Sequence, residues 1–221
     1  MTTFLFFPGD NADAGADWRW LRFTDGALAG EGDGLPPGDE PVVAVPPADE
    51  VTLHWADLPS RSVAQATAAA RVLVSEASAA PLGELHVAVG ETGDEPGRPV
   101  AVVAAARMRD WLTSLAAAGI DPAAVVPAPL LVPVPAEGFV RAEIAGRGLV
   151  RGPASGFADE ARLTELVTGG IAPATLGREA VDAALAAAAA KLPLDLRQGP
   201  FARRRRRQID WRLMRRLAAC E

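Results

Sequence analysis

The sequence predicts an α/β fold, and three observations predict it. Residues 98–134 read as a strand–helix–strand unit, the stretch before residue 56 is a run of strand and turn patterns, and further helical patterns lie at 60–77 and 176–192. In the first of these, Val100, Val102 and Val103 with flanking alanines make an almost wholly apolar run, the pattern of a strand buried on both faces. Met108, Trp111, Leu112 and Leu115 then fall on one face of a helix, with Arg107, Arg109, Asp110 and Ser114 on the other. Gly119 stands where a left-handed C′ residue is wanted, and Pro122 forbids continuation. Burying the four apolar side chains contributes roughly 1.5–3 kcal/mol each. The hydrophobic sequel up to residue 134 reads as a second strand region.

From the N-terminus, residues 3–7 are a β-rich apolar run stopped by Pro8-Gly9, followed by an acidic loop at 10–17. Residues 18–23 read as a second strand, with Asp25-Gly26 as a tight turn into 27–30. Residues 31–41, rich in Gly, Pro and Asp, read as loop. Strands are expected at 41–45 and 51–55, the latter with Val51, Leu53 and Trp55 on one face and Thr52 and His54 on the other. Ser60 is the expected N-cap of a helix that carries Val63, Thr67, Ala70, Leu73, Val74 and Ala77 down one side. Leu85, Val87 and Val89 alternate as a strand, and a subdomain boundary is expected in the turn-rich linker 90–97. Beyond the opening unit, residues 139–144 and 148–151 form a hairpin about Gly146, and 159–168 a short helix closed by Gly169-Gly170. Residues 176–192 are an alanine-rich helix, high in propensity and thin in packing side chains. The expected division is an α/β subdomain at 1–92, a second α/β region at 98–200, and a basic tail at 201–221.

The composition, 49% hydrophobic and 23% charged over 221 residues, is that of a chain able to bury a sizeable core. Its charge is unevenly placed. Residues 203–221 carry eight arginines against Asp210 and Glu221, a net of +6, so the whole-chain −6 leaves −12 on residues 1–202. The single cysteine, Cys220, precludes an intramolecular disulfide, and two histidines argue against structural zinc. The first eight residues lack a basic n-region, and no run of about 18 apolar residues exists, so a soluble chain in a reducing cytoplasm is expected.

Sequence motifs for chemistry are missing. There is no G-x-x-x-x-G-K-[ST], the chain's one lysine is Lys191, and no G-x-G-x-x-G follows a strand. Asp10 or Asp13 could position a metal–phosphate, although a solvated acidic loop is the plainer reading. Ser155 has no G-x-S-x-G elbow, and Cys220 is too close to the end to be pre-organised as a nucleophile. His54 and His86 lie opposite the apolar sets of their strands and read as surface or half-buried. No catalytic, cofactor-binding or metal-binding residue is assigned, and the expectation is a non-enzyme.

The tail has membrane-proximal character. Arg203, Arg204, Arg205, Arg206 and Arg207 are consecutive, and Arg212, Arg215 and Arg216 follow with Trp211, a residue suited to an interface. Ile209, Leu213 and Leu217 recur on one helical face, and each arginine near an anionic leaflet is worth about 1 kcal/mol. A nucleic-acid arm would bind phosphates in a salt-dependent way, but an acidic body offers no groove to continue the contact, so no nucleic acid is expected and a merely solvated charge run is the second reading.

Taken together, several stretches resemble the cytoplasmic domain of the type II secretion system protein L family. They are Val45-Pro46-Pro47-Ala48-Asp49-Glu50-Val51-Thr52-Leu53, Leu58-Pro59 and Leu85-His86-Val87-Ala88-Val89-Gly90. The unit with Met108, Trp111-Leu112, Leu115, Ala118-Gly119, Pro122, Val126-Pro127 and Leu131-Val132-Pro133 matches best, and Leu149-Val150-Arg151 and Leu196-Arg197-Gln198-Gly199-Pro200-Phe201 complete it. The resemblance implies an actin-like ATPase-related fold of RNase H-like mixed-sheet subdomains, without nucleotide hydrolysis. It implies a transmembrane helix beyond this sequence, at the cytoplasmic face of the bacterial inner membrane. The implied partners are the N-terminal domain of the secretion ATPase, the protein M partner and a second copy of the chain. The acidic segment common after the first long helix in that family is reduced here to Glu76 among small residues. Residues 31–41 and Trp18, Trp20 and Trp55 are candidate ATPase contacts, each equally readable as loop or core. The function expected is an adaptor of protein secretion that recruits the ATPase to the membrane; the alternative is an actin-like ATP-binding protein of a pilus or secretion platform.

Overall fold

The structure, a computed structural model, describes residues 1–8, 18–38, 40–58, 62–93 and 96–203. Its middle layer is built on β1 (Thr2–Phe6), whose alternation sends Phe4 and Phe6 into one core and Leu5 and Phe7 into another. β1 pairs antiparallel with β2 (Arg19–Thr24), and β2 with β3 (Ala27–Asp33). On the other side of β1, β4 (Val42–Val45) and then β8 (Ala124–Val125) add in parallel, giving the order β3-β2-β1-β4-β8. The expected loop at 31–41 is therefore strand as far as Asp33. Its glycines make room for an indole: a Cβ on Gly32 would lie 2.9 Å from the Trp20 ring.

A second sheet repeats this plan. β9 (Val140–Ile144), β10 (Arg147–Gly152) and β11 (Ser155–Ala158) are antiparallel neighbours, and β12 (Ala174–Thr175) adds in parallel beside β9. The order β11-β10-β9-β12 matches β3-β2-β1-β4 strand for strand. Even the turns agree. Asp25 and Gly26 have φ of 50° and 79°, Ala145 and Gly146 of 53° and 77°, the two left-handed residues of a type I′ hairpin.

The third sheet has β7 (Arg98–Ala104) between β5 (Thr52–Ala56) and β6 (Leu85–Val89), all antiparallel. The expected boundary at 90–97 falls inside this sheet, because the linker joins two paired strands. β7 is buried on both faces as predicted, Ala101 and Val103 in one core and Val100 and Val102 in another.

Three cores separate these layers. α4 (Arg178–Ala190) contributes Val181, Leu185 and Ala188 to the core between the first and second sheets. α2 (Ala105–Ala117) fills the far side of the first sheet with Met108, Trp111 and Leu115, and ends as predicted at Gly119, φ 78°. α1 (Val63–Ala77) lies on the third sheet. Its cap is Ser62, whose hydroxyl accepts from Gln65 N at 3.2 Å, rather than Ser60, which lies outside the described residues. Its buried stripe is Ala66, Ala70 and Val74; of the expected face, Val63 and Leu73 stay 54% and 47% exposed. Alanines at 66 and 70 let the helix axis approach the strands, so the larger flanking residues never reach the core. The second strand region after α2 is shorter than expected: beyond Val125 the prolines turn the chain into a buried 3-10 turn, Ala128–Leu131.

Candidate functional site: the root of the basic tail

The segment after α4 is where body and tail meet. Leu194 and Leu196 are buried, 2% and 0% exposed, and the Leu196 N–H donates to Val125 O at 2.7 Å. Asp195 Oδ1 accepts from the N–H of Val125 at 2.9 Å and of Arg197 at 2.8 Å. Gln198 pairs with β6 much as a strand would: its Nε2 donates to Val89 O at 2.9 Å and its Oε1 accepts from Val89 N at 3.2 Å. One segment thus grips the first and third sheets at once.

His86 completes the grip. It was expected at the surface or half-buried and is 5% exposed, because Leu196 covers its face of β6. Leu196 O can only accept, so His86 Nε2, 2.7 Å away, carries the proton and donates. The Phe201 ring packs edge-on against the imidazole with centroids 4.8 Å apart. Burial lowers the His86 pKa and the Arg71 charge lowers it further, outweighing the hydrogen bond to Leu196 and the Asp195 carboxylate. Beside it opens a cleft of about 790 Å³ between α1 and α2, with Arg71 and Arg109 on its walls and Gln198 and Phe201 at its floor.

The last described arginine is fixed as well. Arg203 Nε donates to Asp121 Oδ2 at 2.9 Å, and Arg197 Nη1 donates to Asp121 Oδ1 at 2.6 Å and to Pro122 O. Burial would raise the Asp121 carboxyl, but the hydrogen bonds and charges of Arg197 and Arg203 hold it below its ordinary 3.8. Of the membrane-proximal residues picked out by sequence, Arg203 is thus placed. Arg204, Arg205, Arg206, Arg207, Trp211, Arg212, Arg215 and Arg216 lie outside the described residues, as do Asp10 and Asp13.

The tryptophans are half-buried, each against a neighbour. Trp18 packs on Phe7 at 4.7 Å, Trp20 stacks under Arg22 at 5.2 Å, and Trp55 lies under the buried Arg151 guanidinium at 4.5 Å. Arg151 Nη1 also donates to Gly152 O and Ser155 O within the second sheet, so its contact with Trp55 ties that sheet to the third. Among the described residues no group of three His, Cys, Asp or Glu could hold a metal ion. Nor is any helix among them long and apolar enough to cross a membrane. Sequence reasoning missed the roles of His86, Leu194 and Gln198; the alternation of Leu192, Leu194 and Leu196 was the available signal.

Two copies of the same three-antiparallel, one-parallel sheet plan define an α/β protein of the actin-like ATPase-related class, with its C-terminal segment fastened across the layers. Residues 34–176 match the family described as type II secretion system (T2SS), protein L, and the chain belongs to that family. In structure it is similar to the cytoplasmic domain of EpsL, an inner membrane component of the type II secretion system of Vibrio cholerae. The TM-score is 0.66 at 19% identity, over 90% of this chain and 99% of that one. No curated protein matches the sequence significantly.

Proposed function

We propose that this protein is a non-enzymatic adaptor of the type II secretion machinery. Its acidic body recruits the secretion ATPase, through that enzyme's N-terminal domain, to the cytoplasmic face of the inner membrane, alongside the protein M partner. The observation that carries this reading is the root of the tail. The chain leaves the body at Arg203 in a fixed place, held by Asp121, and a net +6 follows on a body of net −12. A leader anchored to the first and third sheets and continuing into arginines orients the whole body against an anionic leaflet. A polybasic segment alone gives reversible attachment, so stable anchoring calls for a membrane helix beyond this sequence.

The deciding experiment is a pull-down with the N-terminal domain of the secretion ATPase, with retention expected; failure to retain it at micromolar concentrations sinks the adaptor reading. The repeated sheet plan favours one competing reading, an actin-like ATP-binding protein. At the C-terminal end of β1, where open α/β sheets take ligands, the Arg147 guanidinium from the second sheet donates to Phe7 O. Calorimetric titration with Mg-ATP is expected to give no heat, and micromolar binding would defeat the adaptor-only reading. Replacing Arg203, Arg204, Arg205, Arg206 and Arg207 with alanine is expected to abolish association with anionic vesicles, with unchanged association refuting the electrostatic part.

A further inference from the structure

β6 is an edge strand of the third sheet, and its free edge is only partly covered. Gly90 N donates to Pro99 O at 2.8 Å, so in this antiparallel ladder His86, Ala88 and Gly90 turn their backbone groups toward β7. Leu85, Val87 and Val89 turn theirs away from it. At Val89 the Gln198 side-chain amide takes both outward groups. One rung further along, the N–H and C=O of Val87 have no partner among the described residues. Val87 is 3% exposed, and solvent alone satisfies such groups poorly. This edge borders the cleft of about 790 Å³. α1 packs on the face of β6 that carries Val87 and Val89, and α2 on the face that carries Ala88, so a helix stands on each side of the edge. Arg71 of α1 and Arg109 of α2 line the cleft from those two sides, and its lining holds no carboxylate, although the body as a whole is acidic. Arg109 has no ion-pair partner among the described residues, and Arg71 makes one long contact, to Leu82 O at 3.5 Å.

We propose that this edge takes an extended acidic segment of a partner protein, which adds to the third sheet as a strand beside β6. The Gln198 amide already demonstrates the mode of pairing at Val89, and an incoming backbone would continue it at Val87. Side chains of such a strand alternate between the two faces of the sheet, so neighbouring residues reach opposite walls of the cleft. The sequence that fits therefore carries two adjacent carboxylates, one directed to Arg71 and the other to Arg109, with β-branched residues beside them. Carboxylates two positions apart would both lie toward the same helix and leave one arginine unpaired. A helical segment could meet the arginines but would satisfy its own backbone and leave Val87 as it is. The inference goes beyond ATPase recruitment and does not rest on it: a pull-down that fails leaves this prediction untouched.

The probe is the blocked peptide Val-Thr-Glu-Glu-Val-Thr, titrated into the 221-residue chain while amide hydrogen exchange is followed by NMR. It is expected to bind saturably and to slow exchange of the Val87 amide at least about tenfold. Arg109→Glu should weaken binding about tenfold, because a like charge then faces the peptide. Arg109 is exposed, so that variant should melt with the wild-type midpoint. The rearranged peptide Val-Glu-Thr-Glu-Val-Thr, with both carboxylates toward one wall, should bind a few-fold more weakly than the first. Methylating alternate backbone nitrogens strips the donors from one edge of the peptide, and one of the two alternate sets should abolish binding. Absence of saturable binding at millimolar peptide overturns the proposal. So does binding that leaves Val87 exchange unchanged or that survives both methylated sets. A peptide with lysines in place of the glutamates that binds as well, or a helical peptide that occupies the cleft while Val87 exchanges freely, overturns it too.

Discussion

The first and second sheets share the order of four strands, turn geometry and the placing of a parallel strand beside the first of them, yet they use their faces differently. The first is buried on both sides: β4 is wholly buried, and β1 feeds two separate cores. The second gives one face to a core, through Ala142, Ile144 and Leu149, and on the other sets the buried Val150 beside Arg141, which pairs with Asp159, the acceptor for Thr164. The crossovers differ accordingly. In the first sheet β3 reaches β4 through a short irregular connection, whereas in the second the chain passes from β11 to β12 through α3 (Ala161–Thr168). A shared topology therefore leaves the chemistry of each face open. A sheet with two apolar faces has apolar helices spent on it; a sheet whose second face carries polar pairs can carry a helix whose apolar side is turned outward.

The comparison breaks first in the core. Phe4→Ala is expected to cost about 3–5 kcal/mol and Leu5→Ala about 2–5 kcal/mol, although the residues are adjacent and point to opposite faces. Urea denaturation would measure both, and a small effect at either position would mean that the first sheet is not doubly enclosed. The turns are a sharper test, because they should behave alike. Gly26→Ala and Gly146→Ala each force a left-handed alanine and should each cost about 1–2 kcal/mol. Unequal losses would show that the two hairpins are not equivalent. Thr164→Val should cost only about 0.5–1.5 kcal/mol, the net worth of its bond to Asp159; a stabilised variant would show that the polar face of the second sheet is not needed. The smallest effect belongs to neither repeated sheet and serves as their control. His86 has a pKa below 6.5 in the folded chain, so its contribution is intact above 6.5. As the pH falls below that value the unfolded chain takes up the proton first, and stability is lost until the folded pKa is passed. Thermal melts between pH 7.5 and 5.5 should show this loss, and His86→Gln, which keeps a donor for Leu196 O, should remove it; an identical pH slope in the variant would refute the assignment.

Local periodicity made much of the fold legible. Met108, Trp111 and Leu115 declared α2, Gly119 declared its end, and Gly146 and Asp25-Gly26 declared two hairpins. The failures have a common cause, in that each was settled by residues far along the chain. Gly32 looked like loop because its partner is the indole of Trp20 on the neighbouring strand. His86 looked half-buried because Leu196, which covers it, is 110 residues away. Arg203 looked like the first of a free run, yet its carboxylate is 82 residues back, at Asp121. On α3, periodicity alone would bury Leu163, Leu166 and Val167; the Arg141–Asp159 pair claims the inward face instead.

The clasp around Leu196 and Gln198 has a mechanical meaning. Its hydrogen bonds reach β6 through Val89 and His86, and the first sheet through Val125. A pull on the chain beyond Arg203 is therefore shared between two sheets rather than peeling one strand away. Tilting or drawing the tail would carry the layered body with it as a single lever.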